Sequence, residues 1–135
     1  MKTRYTLALS CLLTAGATWA HAGEFAWYFD NNTSTFTDSQ LSQLISNGFE
    51  NAPASTPSLD KKFKIGIFVG GGPDKTNATA PAFIHMQKGK PAKEGGLIIK
   101  CDKYWVGNVD RKALALAVQT QVTEMAKFVS SKECQ

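Results

Sequence analysis

The chain has 135 residues, with 15 basic and 11 acidic side chains and a formal net charge of +4. This length predicts one domain, large enough to bury a hydrophobic core without a structural metal. Arginine occurs only at Arg4 and Arg111, so the residue type that most often contacts base edges is scarce, and we expect no nucleic-acid partner.

The first 22 residues have the layout of a secretory signal peptide. Lys2 and Arg4 precede an apolar segment, and the small residues Ala20 and Ala22 fit a signal-peptidase site. A membrane anchor is the alternative, but the segment is shorter than the roughly 20 residues that a spanning helix needs. We therefore expect cleavage near Ala22, a mature domain of residues 23–135 in the periplasm or the medium, and no stable membrane span.

Two elements are predicted next. Residues 23–30 place aromatic side chains at alternate positions, which is typical of a strand, and the polar run 31–37 predicts a turn. Thr37 followed three positions later by Gln40 matches a capping box, so a helix of about three turns should begin there. We expect Gly48 to end it.

Residues 50–60 contain two prolines and several small polar residues, which predicts an irregular connection within one domain. Three further strands are predicted at residues 63–69, 81–87 and 97–106, and a basic turn at 89–96 separates the last two. Loops of modest length favour an antiparallel meander.

Alternation assigns the strand faces. It directs Ile65 and Ile67 toward the core, and it places Tyr28, Phe68 and Tyr104 on the opposite face. Aromatic side chains on an exposed sheet face are frequent interface anchors, although another segment of the chain could also cover them.

A long amphipathic helix should follow, capped by Asp110 and ending near Ser131. Its apolar positions recur at three- and four-residue spacing, and its opposite face is polar rather than basic. Packing on the sheet is therefore favoured over binding to a membrane surface.

Cys101 and Cys134 remain after Cys11 leaves with the signal peptide, and a pair in an oxidising compartment predicts a disulfide. If strand and helix run antiparallel, the two cysteines meet; we expect Leu97, Ile99 and Trp105 to share the strand face of Cys101. A catalytic thiol or a metal pair is disfavoured by the absence of Cys-x-x-Cys, and we expect no metal and no cofactor.

The segment "VGGGPDKTN" resembles a phosphate-binding loop, but it lacks the Gly-x-x-x-x-Gly-Lys spacing. It is either a simple connection or a protruding loop that contacts a partner. Its candidate binding residues are Gly70, Gly71, Gly72, Asp74, Lys75 and Thr76.

His85 is the one histidine outside the signal peptide and the default candidate for proton transfer, but a structural role is an equal alternative. No nucleophile motif accompanies it, and the acidic residues are too scattered for a glycosidase pair, so we assign no catalytic residue. His85 and Tyr104 are kept as candidate binding residues.

Charge is distributed unevenly along the chain. Residues 23–60 contain five acids and no Lys or Arg, whereas residues 61–103 contain nine lysines and three acids. We expect several lysines on loops and on the outer sheet face, where an anionic surface could bind. Ordinary solvated charge is the alternative.

The sequence thus predicts a single two-layer α+β domain, in which a mainly antiparallel sheet of about four strands packs on a long C-terminal helix and a shorter N-terminal helix, with one disulfide. The leading function hypothesis is a small non-enzymatic binding protein of a bacterial-type cell envelope, inhibitor-like or immunity-like, that acts on a protein partner. A carrier of a small anionic ligand or lipid is the alternative, and an envelope hydrolase is third.

Overall fold

The structure is a computed structural model that describes residues 2–6, 26–52 and 63–134. Five strands form one sheet in sequential order: β1 (Lys2–Thr6), β2 (Ala26–Thr33), β3 (Lys64–Gly71), β4 (Ala80–Pro91) and β5 (Leu97–Val109). Two helices, α1 (Asp38–Glu50) and α2 (Arg111–Val129), are followed by a short 3-10 helix (Lys132–Cys134). The predicted α+β class is confirmed.

The predicted four-stranded sheet corresponds to β2 through β5. The β2–β3 pair is parallel, with α1 in the crossover between them, and the β3–β4 and β4–β5 pairs are antiparallel. Strand β1 pairs antiparallel with β2 and lies within the predicted signal peptide. The predicted cleavage site and most of the predicted connection at 50–60 lie outside the described residues, so signal cleavage stays a prediction.

The core lies between the sheet and the two helices. Ile65, Ile67 and Val69 on β3 are fully buried, as the alternating pattern predicts. They pack against buried side chains of both helices, including Leu41 and Val118. Burial of one such aliphatic side chain stabilises the fold by about 1.5–3 kcal/mol.

Both helices begin at the predicted caps. The Thr37 hydroxyl accepts from the Gln40 amide while the Gln40 side chain bonds to the Thr37 N–H, and the Asp110 carboxylate accepts from the Ala113 N–H. The prediction that α1 ends at Gly48 is wrong, because the helix continues to Glu50. A Cβ at Gly48 would lie 2.7 Å from Cβ of Val122, so this glycine allows α1 to approach α2 closely.

Two strand boundaries also differ from the prediction. Residues 31–33, predicted as a turn, continue β2, because they pair with β3 as far as Gly71. The turn predicted at 89–96 is shorter, since β4 continues to Pro91 by pairing with the start of β5.

A bulge changes the predicted face assignment of β5. The register shifts between Lys88 and Gly89, so that Lys88 pairs with Cys101 but Gly89 pairs with Ile99. Cys101 and Trp105 pack against the core, whereas Ile99 is 43% exposed. The expectation that Ile99 and Leu97 share a face with Cys101 is therefore wrong, because the extra residue in β5 reverses the alternation.

The predicted disulfide joins Cys101 and Cys134, whose Cα atoms lie 5.7 Å apart. It connects β5 to the 3-10 helix after α2 and closes a loop of 33 residues. The end of the chain is thereby held against the edge of the sheet.

Candidate functional site

A row of aromatic rings crosses the outer face of the sheet, the face opposite the two helices. Phe68, His85 and Tyr104 are direct register partners on β3, β4 and β5. The His85 and Tyr104 rings stack 3.8 Å apart with an interplanar angle of 10°, and Phe68 lies 5.8 Å from His85. Tyr28 on β2 meets Phe68 edge-on at 6.1 Å, so one continuous row spans four strands. The predicted outward placement of Tyr28, Phe68 and Tyr104 is confirmed.

His85 is held in place by a carboxylate. Its Nε2 lies 2.9 Å from Oδ2 of Asp102, and because a carboxylate only accepts, Nε2 is the donor. In a neutral ring Nδ1 is then the acceptor. The His85 side chain is 11% exposed and that of Asp102 49%. The pair is therefore anchored in the sheet on the histidine side and open to solvent on the carboxylate side.

Two glycines make room for this aromatic layer. A Cβ at Gly66 would lie 2.8 Å from the Tyr28 hydroxyl, and a Cβ at Gly70 would lie 2.3 Å from the Phe83 ring. Tyr28 and Phe83 therefore lie flat over the backbone of β3, where any side chain would displace them.

The outer face ends in exposed apolar side chains on β5. Tyr104 is 62% exposed and Val106 is 70% exposed, and Val106 is the register partner of Phe83. Phe68 and Phe83 beside them are half-buried, and exposed apolar side chains next to such an aromatic layer are typical of a protein interface. This surface, composed of Phe68, Phe83, His85, Asp102, Tyr104 and Val106, is the outer-face patch.

The glycine-rich segment mostly has a structural role. Gly70 and Gly71 belong to β3, Gly71 and Gly72 adopt φ of 70° and 86°, and the Gly72 N–H donates to the Pro81 carbonyl at 2.7 Å. Thr35 donates to the carbonyl of Pro73, which is buried. The segment is thus a tied connection for most of its length.

The tip of this segment is exposed to solvent, as is Gly71 at the end of β3. The Asp74 carboxylate accepts from the N–H groups of Thr76 and Asn77, so it shapes the turn, while Lys75 and Thr76 face solvent. The tip follows Phe68 by several strand residues, at about 3.3 Å each. The structure therefore brings His85 and Tyr104 together and separates them from Asp74, Lys75 and Thr76, whereas Gly70 lies beneath the Phe83 ring of the same face.

A groove of about 530 Å³ lies beside this loop. Lys75, Arg111 and Lys112 line it, together with the Asp110 cap of α2. The Arg111 guanidinium donates to the carbonyl of Thr35 and lies over the Phe36 ring, 5.0 Å from its centroid. Arg111 thus fastens the start of α2 to the segment after β2.

Two of the nine lysines, Lys88 and Lys103, lie on the helix side of the sheet and not on the outer face. The Lys88 ammonium donates to the carbonyl of Val129 at 3.1 Å, and the Lys103 ammonium lies 4.3 Å from the centroid of Phe128. Both contacts are with the C-terminal end of α2, where partial negative charge favours a cation. Their strand positions share the face of the core, which directs them to the helix side.

Sequence reasoning missed Asp102, Phe83 and Val106 as members of the patch. The alternation of these residues with inward-facing ones can be read from the sequence. Which residues lie beside them on the neighbouring strand depends on the register, which the sequence does not show. Asp102 reaches His85 from the neighbouring register position, opposite Gln87. That pairing is not encoded in either strand alone.

In residues 2–6, 26–52 and 63–134, the helices are too short or too polar to cross a membrane. The same described ranges hold no cluster of three or more His, Cys, Asp or Glu side chains arranged to bind a metal ion.

Comparison with known proteins leaves the chain without an assigned family: no family model, no curated protein and no solved structure matches it.

Proposed function

We propose that the protein is a small non-enzymatic binding protein of the cell envelope or extracellular space, inhibitor-like or immunity-like, that binds a protein partner through the outer-face patch. The observation that carries this proposal is the exposure of Tyr104 and Val106 beside the buried His85 and the half-buried Phe68. Aromatic anchors on a rigid scaffold lose little conformational entropy on binding.

The rigidity of the scaffold supports the same proposal. The disulfide holds the end of α2 to β5, which carries the exposed part of the patch. Ring stacking and the Asp102 bond fix His85 and Tyr104 before any partner arrives. A preformed surface of this kind suits an inhibitor, because its side chains lose little conformational entropy when the partner binds.

An interior carrier site receives less support. A carrier needs a cavity between the helices and the sheet, and that layer contains side chains such as Leu41, Ile67, Ile84 and Val118, each with 0% exposure. These residues belong to one packed cluster. The packing favours a function at the surface over one in the core.

Affinity capture tests the proposal. Immobilised, oxidised protein is exposed to envelope extract beside Val106→Lys and a matched control, Leu116→Lys. Leu116 is 66% exposed but lies on α2, in the other layer. We expect one stoichiometric partner that wild type and Leu116→Lys retain and Val106→Lys loses. Equal capture by all three proteins, or none by any, would contradict the proposal.

A hydrolase is the second candidate, and the His85–Asp102 pair is the observation that favours it. The pair has the spacing of a general base held by a carboxylate. However, the ring lies between Phe68 and Tyr104, and Nε2 is occupied by Asp102. Hydrolysis of ester, peptide and glycan substrates by wild type, lost in His85→Gln, would support the enzyme; no turnover by wild type would exclude it for these substrates.

A further inference from the structure

Strand β5 is one edge of the sheet. Its 13 residues pair with β4, and no other described strand lies beside it. An edge strand presents a row of backbone N–H and C=O groups that can pair with another chain. Pairing with β4 is regular from Val109 back to Cys101, so this part of the edge is straight enough to receive a strand.

The usual protection of an edge is confined to one end of β5. The bulge lies near Lys88 and Gly89, beyond Cys101. From Tyr104 to Asn108 the strand lacks charge, proline and bulge, and it carries the exposed Tyr104 and Val106. Natural edges normally carry charge or a bulge where they must stay unpaired.

Charge indicates which strand would fit. Lys100 and Lys103 are exposed on β5, and neither forms an ion pair with any described residue. Lys103 points to the helix side, over Phe128. The one carboxylate on the strand, Asp102, is bonded to His85. On the helix side the edge therefore carries the positive charge of Lys103, while on the outer side the stretch from Tyr104 to Val106 is apolar.

We propose that the β5 edge accepts an extended strand of a partner protein whose side chains are acidic on the helix side and apolar on the outer side. This inference rests on the proposed binding function and names its mode, strand addition, in which backbone hydrogen bonds supply affinity and alternate side chains supply specificity. A second copy of the chain fits less well, because it would bring its own Lys100 and Lys103 to the same seam.

The probe is a fluorescein-labelled peptide of four Glu-Val repeats, which places acids on one side of a strand and valines on the other. Binding to the purified, oxidised protein is measured by fluorescence anisotropy, with a four-repeat Lys-Val peptide for comparison. We expect at least tenfold tighter binding of the acidic peptide, and slower amide hydrogen exchange in Tyr104 to Val106 when it is bound.

Charge reversal locates the site. Lys100→Glu/Lys103→Glu should weaken acidic-peptide binding at least tenfold. Lys75→Glu/Lys112→Glu makes the same charge change in the groove beside the start of α2, outside the proposed strand site, and should change the affinity less than twofold. Circular dichroism checks that both double variants are folded. If one of them is unfolded, the corresponding single charge reversals are measured in its place.

Three outcomes would overturn the strand-addition proposal: equal affinity for the two peptides, exchange protection outside β5, or a dimer of the protein alone that Val106→Lys dissociates. Partner capture that depends on Val106 would still stand if the peptide failed to bind. Conversely, if the acidic peptide binds but no partner is captured, the proposed function would be contradicted and the strand-binding site on β5 would still be supported.

Discussion

The two faces of the sheet use the same strands in different ways. On β4, Ile84 and Met86 point inward and are fully buried, while Phe83 and His85 alternate with them and point outward. The inner face is apolar, with Trp27 and Phe29 of β2 among mostly aliphatic side chains, and two helices cover it. The outer face is aromatic, has glycines beneath its rings and ends in exposed side chains. Stability should therefore be concentrated on one face and binding on the other, so substitutions should separate them.

The sharpest test of this difference compares one residue from each face. Ile67→Ala removes a side chain with 0% exposure and should lower the free energy of unfolding by about 4 kcal/mol, because it leaves a cavity in the core. Val106→Ala, at 70% exposure, should change it by less than about 0.5 kcal/mol. Urea unfolding followed by circular dichroism measures both; similar losses would remove the distinction between the faces.

The disulfide should matter for stability and not for the patch itself. Cys101→Ala/Cys134→Ala releases a loop of 33 residues and should cost about 3 kcal/mol of unfolding free energy. Wild type kept in reductant is the control and should show a similar loss. If the variant is folded yet fails to bind a partner that wild type binds, the purely structural role of the disulfide would be wrong.

Gly70 tests the aromatic layer of the outer face. Gly70→Ala places a Cβ 2.3 Å from the Phe83 ring, and displacing that ring should cost about 2 kcal/mol. In a Phe83→Leu background the methyl group added by Gly70→Ala meets no aromatic ring, so Gly70→Ala should lower the free energy of unfolding by less than about 1 kcal/mol. An equal loss in both backgrounds would mean that the strain arises elsewhere.

The smallest expected effect concerns His85. Asp102→Ala removes the acceptor of the Nε2 proton and should lower the free energy of unfolding by about 1 kcal/mol. Asp102→Asn keeps an amide oxygen as acceptor and should lose less. Proton NMR of the His85 and Tyr104 rings reports whether the stack persists; unchanged ring shifts in Asp102→Ala would show that the carboxylate does not position the histidine.

Much of this architecture was accessible from local patterns. The caps at Thr37 and Asp110, the alternation of β3 and the periodicity of α2 depend on neighbours within a few residues. Both helices begin at the predicted caps, and β3 and α2 bury the predicted faces. The outer face was predictable as a face, because alternation assigns Tyr28, Phe68 and Tyr104 to it. The disulfide was predictable because two cysteines remain outside the signal peptide and because an antiparallel strand and helix bring them together.

The errors share one physical cause, which is that they depend on partners distant in sequence. Gly48 resembles a helix terminator until α2 packs against it, and the β5 alternation holds until the bulge opposite Lys88 reverses it. The lysines look solvated until the end of α2 lies within reach of Lys88 and Lys103.

The sequence by itself determined both helices and β2 through β5, the buried faces of β3 and α2, and the disulfide, because propensity, capping and periodicity act over short distances. Tertiary structure alone decided that β2 pairs parallel with β3, that His85 meets Asp102 and Tyr104, and that β5 is an edge. Register and strand order are set by how the layers pack, and the outer-face patch exists only once they are set.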